Sequence, residues 1–66
     1  MRLTVNGVAQ VAKEGSTVSL LLEALGLRPE IVAVEVNGEL VPRSTHADKA
    51  LVEGDQVEFV TLVGGG

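Results

Sequence analysis

The sequence predicts a small α+β domain in which one main helix packs across a mixed sheet of four to five strands. Short apolar segments with strand-like alternation lie on both sides of a single helical stripe, two Asn-Gly pairs divide the strands into hairpins, and three glycines follow the last strand. A chain of 66 residues is expected to form one domain. We expect an ordered body over about residues 1–61 and a flexible C-terminal glycine tail over about residues 62–66.

The first hairpin is predicted from residues 2–12. Residues 2–6 alternate in polarity, as a strand with one buried face does. Asn6 and Gly7 tolerate the positive φ angles of a type I′ turn, so residues 8–12 are expected to return as the second strand.

A short helix is predicted next. Ser16 or Thr17 is placed to cap its first turn, because a hydroxyl oxygen accepts a hydrogen bond from a free helical N–H. Gly26 suits the left-handed position beyond the helix end, and Pro29 opposes resumption of the helix. Apolar residues spaced i, i+3, i+4 and i+7 form one stripe between these limits: Val18, Leu21, Leu22 and Leu25.

The second hairpin and the last strand follow the helix. Residues 31–36 are mostly β-branched and apolar, which indicates a buried strand, and Asn37-Gly38 predicts the turn to a short return strand over residues 39–41. Residues 43–50 are polar and predict an irregular loop. The order of strand, strand, helix, strand, short strand and strand favours one helix packed across a mixed sheet, the arrangement of a ubiquitin-like β-grasp.

The last strand is predicted over residues 56–60. If Val57 and Phe59 face the core, the period of two places Val60 and Leu62 on the opposite face. Those two side chains would then either form an exposed apolar patch or pack on a neighbouring strand or under a loop.

Composition argues against several classes of function. The chain has no cysteine, which excludes a thiol nucleophile of its own and favours a reducing compartment. A net charge of −4 without a basic cluster argues against nucleic-acid binding. No apolar run is long enough to span a membrane and no secretion signal is evident at the N-terminus, so the cytoplasm is the expected location.

No catalytic or metal-binding set is evident in the sequence. His46 is the only histidine, and we expect it to lie exposed in the polar loop. Asp48 is a second possible ligand nearby, but two ligands are too few to predict a metal site. We therefore expect no metal, no bound cofactor and no enzymatic activity of the chain's own.

The glycines at the end of the sequence are the exception. Gly64, Gly65 and Gly66 are costly to order and have no side chains to pack. Either this is a frayed end or cloning remnant, or a bare tail is needed to enter another protein's active site. Residues 61–66 would span about 20 Å when extended. A carboxylate at Gly66 is ionised, and nucleophilic, at neutral pH.

The sequence resembles the ThiS family of sulfur carriers of thiamine biosynthesis over essentially its whole length. Six motifs match in order: Asn6-Gly7, Gly15-Ser16-Thr17-Val18, Val34-Glu35-Val36-Asn37-Gly38, Val41-Pro42-Arg43, Glu53-Gly54-Asp55 and Val63-Gly64-Gly65-Gly66.

The resemblance implies a carrier that acts as a co-substrate. An E1-like adenylating enzyme would use ATP and Mg to activate the Gly66 carboxylate, leaving AMP on it. A persulfide donor would convert this adenylate to a thiocarboxylate, and thiazole synthase would receive the sulfur. Gly65 and Gly64 would give the tail clearance, and Val60, Leu62 and Val63 would flank it as a partner-docking surface.

Three alternatives remain open. Related β-grasp carriers serve molybdopterin synthesis, tRNA thiolation or cysteine synthesis with the same tail, although Phe59 as the sole aromatic residue favours the thiazole branch over the molybdopterin one. A ubiquitin-like protein modifier would instead join Gly66 to a lysine amine. A structural binding module would keep its function without Gly65 and Gly66.

Overall fold

The structure is a computed structural model that describes residues 1–62 of the chain. Within that range the elements follow the predicted order, with a 3₁₀ turn at Arg43–Thr45 in the polar loop. The strands are β1 (Arg2–Val5), β2 (Val8–Val11), β3 (Val32–Val36), β4 (Glu39–Val41) and β5 (Gln56–Thr61), and the helix is α1 (Val18–Ala24).

The strands form one mixed sheet in the order β2-β1-β5-β3-β4. β1 and β5 run parallel, with Val5 level with Val57, and the other neighbouring pairs are antiparallel. The last strand therefore lies in the centre of the sheet, between the first hairpin and the second. This placement brings residues from both ends of the chain into one core.

Both hairpin turns adopt the predicted conformation. Asn6 and Gly7 have φ angles of 49° and 80°, and Asn37 and Gly38 have 53° and 84°, as a type I′ turn requires. The Asn37 side chain also donates to Asp55 Oδ1 at 2.9 Å and accepts from the Gln56 N–H at 2.9 Å. The second turn is thus tied to the start of β5.

The helix is short and capped at both ends. Thr17 is its N-cap, and the Thr17 hydroxyl accepts from the Leu20 N–H at 3.2 Å. At the other end the Gly26 N–H donates to Glu23 and the Leu27 N–H to Leu22, at 3.1 and 2.9 Å. Together with the φ of 70° at Gly26, these bonds make a Schellman motif.

The core lies between α1 and one face of the sheet. Three of the four predicted helix positions are buried, but Leu25 is the C-cap and is exposed, since it lines an open groove between α1 and β2. The predicted buried strand over residues 31–36 is β3, and it is buried on one face: Ala33 and Glu35 are only half-buried, since α1 covers one face alone. The buried core residues are Leu3, Val5, Val18, Leu21, Leu22, Val32, Val34, Val36, Val41, Leu51 and Val57.

Candidate functional site

The sheet face opposite α1 carries an exposed apolar patch where β5 ends. Val57 is buried and Phe59 packs against the core, so Val60 and Leu62 point to the other face, as the period of two predicts. Val60 is 54% exposed and Leu62 61%. Ala33, level with Val60 on β3, and Leu40 on β4 extend the surface, and these four side chains are called the open-face patch below.

The backbone holds the patch in place up to the last described residue. The Leu62 N–H donates to the Ile31 carbonyl at 2.7 Å, which extends the β3–β5 ladder beyond the Val32–Thr61 pair. Leu62 is therefore held beside β3 at the end of the central strand. The other predicted site residues, Val63 and Gly64–66, lie outside the described residues.

A shallow cavity of about 200 Å³ adjoins Leu62. Its walls are mainly apolar, with Glu30 and Arg43 among the lining residues. A cavity of this size admits one side chain of a partner protein rather than a small-molecule substrate, for which sites of roughly 300–1,000 Å³ are usual. The remaining lining residues are Pro29, Val32, Ala33, Leu40, Val41, Pro42, His46 and Leu62.

Two carboxylates lie directly opposite each other beside the open-face patch. Glu35 on β3 is level with Glu58 on β5, two positions along the ladder from the Ala33–Val60 pair and on the same face. Like charges in directly opposed positions destabilise a sheet. A cationic group on a docked partner would remove this repulsion, so the surface suits a partner that is apolar with a positive charge beside it.

The sequence predicts an exposed His46, but the structure buries it. It is only 5% exposed, and its Nε2 lies 3.0 Å from the Val41 carbonyl, which makes Nε2 the donor. Nδ1 is buried without a hydrogen-bond partner. The loop is held inward because the His46 carbonyl accepts from Ser19 and the Lys49 carbonyl from Val18, both at 3.0 Å. His46 thus joins the loop after β4 to the start of α1.

Residues 1–62 contain neither a metal-binding cluster nor a membrane-spanning helix. That part of the chain has no group of three or more His, Asp and Glu side chains arranged to hold a metal ion. Its single α-helix has seven residues, too few to cross a membrane.

Sequence reasoning missed part of this surface. Ala33, Leu40, Glu35 and Glu58 were not singled out, because each lies on a strand whose neighbours in the sheet are unknown until the strand order is known. The sequence does carry one signal for this face. Ala33 and Glu35 alternate with the valines of residues 31–36, which indicates that these two residues lie on the less buried face of the strand.

A five-stranded mixed sheet with a central final strand and one helix across a single face defines a β-grasp protein. The model of the ThiS family matches residues 2–66, and the chain belongs to that family.

Solved and curated relatives agree with this assignment. The crystal structure of the thiamine biosynthesis protein ThiS from Geobacter metallireducens is 40% identical, with a TM-score of 0.87 and complete coverage of both chains. The sulfur carrier protein ThiS of Escherichia coli is 33% identical over 66 residues, again the whole of both chains. A thiazole synthase of Paramagnetospirillum magneticum is 42% identical over the same 66 residues, which span 20% of that protein.

Proposed function

We propose that the chain is a sulfur carrier for synthesis of the thiazole ring of thiamine and holds the sulfur as a thiocarboxylate on Gly66. The family match through residue 66, which includes the three glycines, carries this proposal. The full-length similarity to a protein named sulfur carrier supports it.

The chemistry requires an activated carboxyl group. The Gly66 carboxylate attacks the α-phosphate of Mg-ATP in an E1-like adenylating enzyme, which forms an acyl-adenylate and releases pyrophosphate. A persulfide donor then displaces AMP, and reductive cleavage of the sulfur–sulfur bond by a thiol leaves a thiocarboxylate. The carrier supplies no catalytic group. Gly65 and Gly64 have no side chains to obstruct a narrow channel.

The open-face patch is the surface by which the adenylating enzyme would hold the carrier. It lies at the end of β5 and includes Leu62, the residue that directly precedes Val63 and the three glycines in the sequence. The exposed leucine and valine supply apolar contact, and the cavity beside Leu62 offers a recess for one anchoring side chain. Opposed carboxylates at Glu35 and Glu58 would select a partner with a nearby Lys or Arg.

Thiazole synthase is the proposed acceptor. Two proteins named thiazole synthase, from Paramagnetospirillum magneticum and Magnetococcus marinus, include a segment similar to this entire chain, 42% and 44% identical. A sulfur carrier joined to its acceptor enzyme in one polypeptide would account for such a segment. This observation favours the thiazole branch over the other sulfur-transfer pathways.

Intact mass spectrometry tests the proposal. The purified protein is incubated with its host's adenylating enzyme, Mg-ATP and a persulfide donor with reductant. We expect a mass gain equal to replacing one oxygen by sulfur, located on the C-terminal peptide. Deleting Gly66 should abolish the gain, whereas Val52→Ala, a change at an exposed side chain in the loop before β5, should retain it.

The outcomes separate the alternatives. A folded protein that gains neither AMP nor sulfur beside an active enzyme would refute the carrier proposal. A mass gain corresponding to a lysine conjugate would instead identify a protein modifier. Transfer of the sulfur to thiazole synthase, followed by loss of the extra mass, would establish the acceptor.

A further inference from the structure

Among residues 1–62, β2 forms an edge of the sheet, and its outward backbone groups have no hydrogen-bond partner. Met1 and Ala12 exchange hydrogen bonds in both directions, at 2.7 and 2.9 Å. In an antiparallel pair the bonded positions alternate, so Gln10 also directs its backbone groups towards β1. Ala9 and Val11 then direct theirs outward. Two N–H groups and two carbonyls thus face away from the sheet.

This edge strand lacks the charged side chains and the proline that commonly prevent strand addition. Sheet edges are usually protected by charged side chains, proline or very short strands. Residues Val8–Val11 include no charge and no proline, and Val11 is 82% exposed. The other edge is protected: β4 has three residues, begins with Glu39 and is followed by Pro42.

An apolar groove runs beside β2 on the side of the sheet that α1 covers. It has a volume of about 430 Å³, and its walls include Ala12, Leu20 and Leu25. Val8 lies on this same side, because it is level with Val5, a core residue. Val8 is nevertheless 60% exposed, since nothing in residues 1–62 packs over it.

We propose that β2 pairs antiparallel with β2 of a second copy of this chain. The register that sets Ala9 opposite Val11 of the second copy pairs every outward group, giving four hydrogen bonds around a two-fold axis at Gln10. The same register sets Val8 of each copy opposite Ala12 of the other. Each Val8 thereby enters the groove of its partner.

Self-complementarity is the reason to assign a second copy to this edge. Each copy supplies the outward N–H and carbonyl groups of β2, the side chain of Val8 and the groove beside β2 that receives Val8 of the other copy. The charges do not oppose this pairing. In this register Lys13 lies opposite Gly7 of the second copy, and no two like-charged residues are opposite each other. An unrelated extended segment would satisfy the backbone groups but would need its own apolar residue in register with Ala12.

The size of the contact sets its strength. A four-residue ladder is about 13 Å long, so the interface is smaller than the roughly 800 Å² per partner of a standard stable complex. The dimer is therefore weak and depends on concentration. β1 separates β2 from β5, so both open-face patches remain accessible in the dimer.

Sedimentation velocity and amide hydrogen exchange, from micromolar to millimolar protein, test the pairing. We expect mass to rise towards a dimer with concentration, and exchange at the Ala9 and Val11 amides to slow with it. Val11→Lys should weaken association by about tenfold or more. Ala9→Pro, which removes an outward N–H and spares the β1 ladder, should also weaken it.

The matched control is Leu40→Lys on the opposite edge, where Leu40 is 64% exposed. It should leave association unchanged. A monomer at millimolar concentration would overturn the proposal, even if another protein's extended segment were found on β2. Association that Leu40→Lys abolishes and Val11→Lys leaves intact would overturn it as well.

Discussion

Replacing Leu62 by alanine should weaken docking of the adenylating enzyme without unfolding the carrier. The substitution removes three side-chain carbons, each contributing about 0.8 kcal/mol when fully buried. Because 61% of Leu62 remains exposed for a partner to cover, the expected loss of binding free energy is about 1.5 kcal/mol, roughly tenfold in Kd. The backbone bond from the Leu62 N–H to Ile31 is retained, so the free energy of unfolding should change by less than about 1 kcal/mol.

Isothermal titration calorimetry with the host's adenylating enzyme measures this effect. Val52 provides a matched control, since it is 60% exposed but lies in the loop before β5, away from the open-face patch. Val52→Ala should bind as the unaltered protein does. Equal affinities for Leu62→Ala and the unaltered protein, with intact folds, would show that the patch is not the docking surface. So would a larger loss for Val52→Ala.

Three further predictions concern stability, each measured by denaturant unfolding. His46→Ala should destabilise the fold by about 2 kcal/mol, because it leaves a cavity and removes the bond to the Val41 carbonyl; an unchanged midpoint would mean the loop does not depend on this side chain. Asn37→Ala should cost about 2–3 kcal/mol through two lost hydrogen bonds and a strained positive φ, and Asn37→Gly, which avoids the strain, should cost less. The Arg2 N–H, which donates to the Glu53 carboxylate, lowers the pKa of Glu53 below its ordinary value. Its stabilisation is therefore present at neutral pH and lost as the pH falls through the lowered pKa, so Glu53→Gln should be less stable at neutral pH and match the unaltered protein in strong acid; a difference that persists in acid would contradict this assignment.

Local chemistry explains which parts of the fold were predictable. Each Asn-Gly pair requires positive φ at two successive residues, a condition that few other sequences satisfy, and both turns were located correctly. The sequence predicts either Ser16 or Thr17 as the N-cap of the helix. In the structure Thr17 is the N-cap, and the Ser16 hydroxyl donates to the Lys13 carbonyl at 2.6 Å instead. Leu25 continues the helical stripe, with its N–H bonded to the Leu21 carbonyl, but it is exposed because β2 leaves a groove beside it, which periodicity does not reveal.

The buried position of His46 had no local signature. Polar neighbours predicted an exposed loop, yet backbone bonds from Val18 and Ser19 to that loop draw the imidazole inward. Those bonds form between segments about 30 residues apart, and their existence depends on how the helix and the second hairpin meet. The open-face patch has the same origin, since Ala33 and Val60 become neighbours only when β5 enters the sheet beside β3.

The sequence by itself determined the element order, the two turns, the alternation of Val57, Phe59, Val60 and Leu62, and the resemblance that directs attention to Gly66. These features depend on residues close together in the chain, where backbone sterics and side-chain period decide the outcome. The tertiary structure alone decided the central place of β5, the burial of His46, the opposed Glu35 and Glu58, and the unpaired edge at β2. Each of these is a relation between distant segments, fixed by which strands pair and which sheet face the single helix covers.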